Sequence, residues 1–312
     1  MKDHKHYFIN FIVLILLPFN SSCFADTTFA FKAIANVNGG LLASPPLPDL
    51  RGKKGKTSIT LRPAFFESSG TEGDGSGANS FSGTIDFSGY GGAALYHSQF
   101  SENFGWYVMS MYNSMSGEFS SSGNGNGGAF EITIPEASST FTLVGGGLSL
   151  RLFPSSFFSV QVFGGPAIIK TTTEQTVNSN SGDDFDQTID ANVNSYFVGA
   201  QAGILLTKYI ELNPYFIMTA PLSDEDTCLE YESEVRGTGT FFDFTDPECL
   251  DQHGNNTGTP KTKFDMGLDA FGMNVKFPTI GLAVNVLADL GDLQGFQGAE
   301  VQLYYVSYTM EL

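Results

Sequence analysis

Tryptophan occurs once (Trp106), cysteine three times, histidine four times and Lys plus Arg only 15 times in this chain of 312 residues. Each scarcity closes a class. Against 33 Asp plus Glu, the basic residues leave a net charge of −18, which sets nucleic acid aside as a partner. The longest apolar run, within residues 8–19, falls short of the ~20 residues a membrane helix needs. If the chain crosses a membrane, it does so with strands. Two of the histidines, His4 and His6, precede that run, so His97 and His253 are the only ones left for acid–base chemistry.

The first 25 residues have a charged start (Lys2, Lys5), the apolar run, and Cys23-Phe24-Ala25 before Asp26, the pattern of a secretory signal cleaved after Ala25. Lipoprotein processing at Cys23 is the alternative, but Asn20, Ser21 and Ser22 suit it poorly. Removing residues 1–25 leaves 13 basic and 32 acidic residues and two cysteines, Cys228 and Cys249, in one acidic stretch. In an exported chain these two are expected to form a disulfide.

What is plentiful is glycine (36), phenylalanine (29) and tyrosine (12), the composition of a β-rich chain with much aromatic surface. Alternation places strands at about 57–67, 81–99, 105–119, 137–153, 157–172, 187–206, 209–221, 262–276, 279–289 and 298–312, ten in all, with twelve as the alternative count. Short connections (100–104, 154–156, 207–208, 277–278) alternate with longer ones (68–80, 120–136, 173–186, 222–261, 290–297). Several of these strands far exceed the roughly 5 to 6 residues usual in soluble proteins.

The faces differ in kind. Phe158, Val160, Val162 and Ile168 oppose Ser159 and Gln161; Tyr196, Val198, Ala200, Ala202, Ile204 and Leu206 oppose Ser195, Gly199, Gln201 and Gly203. A glycine-rich face suits a narrow lumen better than a solvated sheet. At the C-terminus Tyr304, Val306, Tyr308, Met310 and Leu312 share one apolar face up to the last residue, as expected of a strand that closes a barrel in lipid. Beside the short turns collect Phe100, Phe104, Trp106, Tyr107, Phe153, Phe157, Phe158, Tyr209, Phe277 and Tyr308, read as an interfacial girdle.

In organisation, residues 57–312 resemble a Gram-negative outer-membrane β-barrel of the small to medium kind that includes the OmpA and OmpW barrels. The resemblance implies an all-β, antiparallel up-and-down transmembrane barrel with short periplasmic turns and long external loops. It implies location in the bacterial outer membrane among its lipid and lipopolysaccharide, and assembly by the barrel assembly machinery, which reads the C-terminal strand. Members typically end in Phe; here the last residue is Leu312, with Tyr308 and Tyr304 in phase.

Residues 26–56 stand outside the strand pattern, and Pro45, Pro46 and Pro48 exclude a central strand there. Arg51, Lys53, Lys54 and Lys56 follow, to meet anionic lipid, to fold back into the barrel as a plug, or to serve as a solvated periplasmic tether. Phasing the strands puts the charges Arg62, Arg151, Glu211 and Glu311 on the lumen side, with Arg62 and Arg151 expected to pair with Glu211 or Glu311 across it.

The 222–261 connection and its edges hold ten carboxylates (224–226, 230, 232, 234, 243, 246, 248 and 251) against Arg236 and Lys261. Divalent calcium is the cation such oxygens would take, but no calcium-loop spacing is present and no cofactor is expected. Asp251-Gln252-His253 and Asp224-Glu225-Asp226 resemble the paired residues of the omptin proteases. Both lie on one connection, however, and the tryptophan motifs of that family have no counterpart, so no enzyme is expected. GNGNGG at 123–128 follows no parallel strand and opens no helix, so it reads as a loop. The functional expectation is a narrow, gated channel for small solutes, with a non-conducting structural or adhesion barrel as the alternative.

Overall fold

The computed structural model describes residues 46–74, 80–125, 128–153, 157–179, 184–222, 228–230, 232–236, 261–263, 268–289 and 300–312. Thirteen strands run in chain order: β1 Lys56–Asp74, β2 Ser80–Gln99, β3 Phe104–Gly125, β4 Gly128–Leu152, β5 Phe158–Ser179, β6 Asp184–Thr207, β7 Ile210–Pro221, β8 Cys228–Glu230, β9 Glu232–Arg236, β10 Lys261–Lys263, β11 Leu268–Phe277, β12 Leu282–Asp289 and β13 Glu300–Glu311. Ten of them, β1 to β7 and β11 to β13, pair antiparallel in a ring closed by β5–β6. The first strand meets the last: Ser58 faces Glu311 and Phe65 faces Tyr304. β9 pairs with the upper part of β6, and β8 with β10 in a separate ribbon.

The expected strands are these ten, with shifted ends. β1, β3, β4 and β5 continue into the Ser-, Gly- and Thr-rich stretches read as connections, where the outward face is polar enough to pass for loop while Ile134 and Val177 are buried inward. The 262–276 strand divides, because β10 pairs away from the ring and only β11 enters it.

Outward residues at mid-height are apolar and bare: Leu61, Phe65, Val144, Leu148, Ile168 and Phe216 are all at least 43% exposed. A contiguous apolar belt around a closed ladder with no free edge is the solution that lipid imposes on β-structure. At the C-terminal strand Val306, Tyr308, Met310 and Leu312 join this belt, and Tyr304 is in register with Phe65. Trp106, Phe104, Phe157, Phe158 and Tyr209 lie outward near the short-turn end, with Tyr96 against Trp106 at 5.3 Å between ring centroids. Tyr107 is a correction to the girdle: it is 1% exposed and points into the lumen, since neighbours on a strand face opposite ways.

β4, at 25 residues, spans roughly 60 Å along the barrel axis at the usual rise and tilt, against ~25 Å for the lipid belt. By the same measure β7 and β13, at 12 residues each, barely exceed the belt, and β11 and β12, at 10 and 8, do not. Among the described residues the wall is therefore tall on the β1–β6 side and low opposite.

Candidate functional site

The interior changes character with height. At mid-height an apolar cluster drawn from β2 to β7 includes Leu95, Met109, Phe141, Phe163, Phe197 and Ile217, while polar side chains such as Asn113, Ser139, Thr173 and Gln175 are buried among the inward residues at and above it. Tyr107 on β3 meets Phe163 on β5 and Phe197 on β6, with ring centroids 6.2 and 5.9 Å apart. Strands two and three places apart touch through their side chains, so this part of the lumen is a packed core. The glycines of β6 make room for it: a Cβ at Gly199 would collide with the Phe163 ring.

Below this core, at the end carrying the short turns and both ends of the ring, the interior is polar. Gln201 donates to Gln161 (2.6 Å), Asn213 donates to Gln201 (3.0 Å), and Tyr305 donates to Asn274 (2.7 Å). By the usual build of such barrels, this end is periplasmic.

Into it runs the segment before β1. Leu47 packs against the apolar cluster, Leu50 is fully buried, and Gln201 donates to the Pro48 carbonyl at 2.7 Å. Leu50 sits where Gly203 lacks a side chain, since a Cβ there would strike Leu50 Cδ2. The Arg151 guanidinium donates to the carbonyls of Leu50 (3.2 Å) and Gly52 (2.9 Å). Arg51 Nε meets Glu211 Oε2 at 2.6 Å, the carboxylate being fully buried and the arginine side chain 28% exposed. Lys53 reaches Glu311 at the rim at 3.3 Å. Residues 46–51 are a plug in a fitted socket.

Sequence phasing had set Arg62 and Arg151 against Glu211 or Glu311. The structure places Arg62 and Glu211 inside, Arg151 at the periplasmic mouth and Glu311 on the rim, but the partners differ. Glu211 and Glu311 pair with Arg51 and Lys53 of the plug. Arg62 lies over the Tyr305 ring, 4.6 Å from its centroid, and donates to Met111 Sδ at 3.2 Å. Arg151 binds backbone carbonyls, including that of Glu102. The physical reason is reach: the plug carries its cations to the carboxylates, whereas the wall arginines are held by nearer groups. His97, read as an interfacial residue, instead faces the lumen and contacts Ser149 Oγ at 3.1 Å.

Between plug and wall lies a cavity of about 250 Å³, bordered by β1, β7 and β11 to β13 and lined among others by Thr60, Arg62, Glu211, Asn274, Lys276 and Tyr305. Lys276 and Tyr305 were missed from sequence. Phase alone could have found Lys276, two residues from Asn274 on the lumen side and in register with Glu211. Cys249, Asp251, His253 and Asp224–Asp226 lie outside the described residues, and of Cys228 only the backbone is described.

The fold and its interior define an outer-membrane β-barrel of ten strands, closed at mid-height and plugged at the periplasmic end. No known protein family and no curated protein sequence matches the chain. Among solved structures it is similar to the outer membrane protease OmpT from Escherichia coli, at 9% identity over 82% of this chain and 97% of that one, with a TM-score of 0.43. It is also similar to the outer membrane protein OprG from Pseudomonas aeruginosa (13% identity, 84% and 99% covered, TM-score 0.34). A third is an outer membrane channel from Pseudomonas putida F1 (10%, 86% and 100%, TM-score 0.36). These are likenesses of fold.

Proposed function

We propose that this protein is a non-catalytic outer-membrane barrel that does not conduct at rest and acts through its tall external wall. The observation that carries the reading is the cross-lumen contact of Tyr107 with Phe163 and Phe197, within an apolar core continued upward by Phe119, Ile134 and Val177. An ion crossing the Tyr107, Phe163 and Phe197 contact would shed most of its hydration, with few polar groups there to replace it. The external wall offers contact chemistry instead. Its outward face carries Glu67, Asp86, Glu118, Glu136 and Glu174, together with hydroxyl and carboxylate ladders such as Thr172–Asp190 and Thr176–Asp186. Such a surface suits adhesion or a structural role among the sugars of the outer leaflet.

A gated channel is the second reading, favoured by the charged cavity beneath a plug held by few contacts. Planar-bilayer recording of the full chain separates the two. The first reading expects a silent membrane, and unitary current steps from the wild type would refute it. Steps appearing only in Arg51→Ala would favour the gated channel. The non-catalytic part is checked by incubating the folded protein with a mixed peptide library, where cleavage lost in Asp251→Ala and His253→Ala would overturn it.

A further inference from the structure

We infer that the socket under residues 46–51 is a peptide-binding site, open to the periplasm, which takes a peptide turn presenting an apolar residue followed by arginine when the plug is out. The inference does not depend on whether the barrel conducts. What the socket reads in the plug is largely main chain. Gln201 donates to the carbonyl of Pro48, and the Arg151 guanidinium donates to those of Leu50 and Gly52. The plug itself is turned at this point, with the Gly52 N–H donating to the Asp49 carbonyl at 3.4 Å and the Arg51 N–H to the Asp49 carboxylate at 2.9 Å. Two side chains add selectivity: Leu50 fills the space that Gly203 leaves, and Arg51 meets Glu211. Backbone contacts supply affinity and side-chain pockets supply specificity in peptide recognition generally, and neither requires the peptide to be covalently part of the barrel.

The plug leaves part of this socket unused. Among the described residues, Ser159 Oγ and Gln161 Nε2 on β5 and Glu211 Oε1 on β7 are buried without a hydrogen-bond partner, and all three residues are at most 1% exposed. They surround the floor on which Leu50 rests. Ser159 is in register with Gly203 and Gln161 with Gln201, and a Cβ on Gly203 would lie 2.8 Å from Glu211 Oε1. A buried donor, hydroxyl and carboxylate oxygen left unpaired are each costly, so a ligand that pairs them gains what the plug does not. A second peptide brings the N–H, carbonyl and side-chain groups to do so, while reusing the contacts that the plug already makes.

The test is fluorescence anisotropy of a labelled Pro-Leu-Pro-Asp-Leu-Arg-Gly peptide, the sequence of residues 46–52, titrated with folded full-length protein in detergent. A seated plug lowers the apparent affinity by the fraction of sockets that stand free. The Leu50→Ala, Arg51→Ala double variant loses both side-chain anchors of the plug. It should bind the peptide saturably and at least roughly 30-fold more tightly than the wild type, the factor for losing the half-screened ion pair alone. A peptide with alanine in place of arginine should bind this variant roughly 30-fold more weakly, and Glu211→Gln added to the variant should remove most of that difference. Lys170→Gln, exposed higher on β5, should change neither affinity. Each variant is checked for the heat-dependent gel shift of a closed barrel, and Gly203→Ala, which closes the leucine space and should weaken both peptides, serves if Glu211→Gln does not fold. No saturable binding by the folded double variant would overturn the inference. Equal binding by wild type and double variant, or equal binding of the two peptides, would overturn it too, by placing the peptide outside the socket.

Discussion

Arg51→Ala tests whether the plug is held as the structure implies. The Arg51–Glu211 contact is 2.6 Å long, with the carboxylate side chain 1% and the arginine side chain 28% exposed. Breaking a fully buried pair costs about 3–5 kcal/mol and an exposed one at most about 1 kcal/mol, so this half-screened pair falls near 2 kcal/mol. The remaining ties are the hydrogen bonds from Gln201 and Arg151 and the burial of Leu50. They keep the plug seated most of the time, and losing the pair raises the open fraction roughly 30-fold at that energy. A Leu50→Cys reporter in a Cys228→Ser, Cys249→Ser background converts this fraction into a rate, because a membrane-impermeant maleimide reaches residue 50 only when the plug is out. Labelling should run roughly 30-fold faster with Arg51→Ala than without it. Glu211→Gln added on top should change it little, since the pair is already broken. A labelling rate unchanged by Arg51→Ala, in protein that still shows the heat-dependent gel shift, would refute the assignment of the pair as the latch.

Tyr107→Ala should lower the unfolding temperature of the barrel by emptying the centre of the cross-lumen core, at a cost of about 3–5 kcal/mol; Trp106→Ala, its outward neighbour, should cost clearly less in the same melt. Val306→Arg, which points a charge into the lipid belt, should cost about 2–4 kcal/mol and reduce the protein recovered in the outer-membrane fraction. For the cysteines, peptide mass mapping without reductant should recover Cys228 and Cys249 in one linked fragment, and two free thiols would dismiss the bridge.

The ring was legible because its rules are local and repeated. Period-two alternation fixes which way Val198 and Gly199 point, and the alternation of short and long connections fixes how many strands return to the same end. The filled lumen was not legible, because alternation says which residues face inward and not whether they meet. Tyr107 illustrates the difficulty: beside Trp106 and a short turn it has every mark of a girdle residue, and only strict phase separates the two. The charged end was half legible. Arg62 and Glu211 could be placed inside by phase, but their partners depended on where residues 46–51 run. A proline-rich segment carries no periodicity from which to read a path, and Leu50, a lone leucine between PPLPD and RGKKGK, gives no sign that Gly203 on β6 has left a space for it.

The plug is joined to β1 through residues 52–55, so it can never leave its socket by more than a four-residue leash. A short tether holds a detached group at an effective concentration in roughly the millimolar range. Anything soluble that would occupy the Leu50 socket must outbid that standing concentration. Opening is thus governed by changes to the cavity and its charges, and a free competitor in the periplasm has little leverage over it.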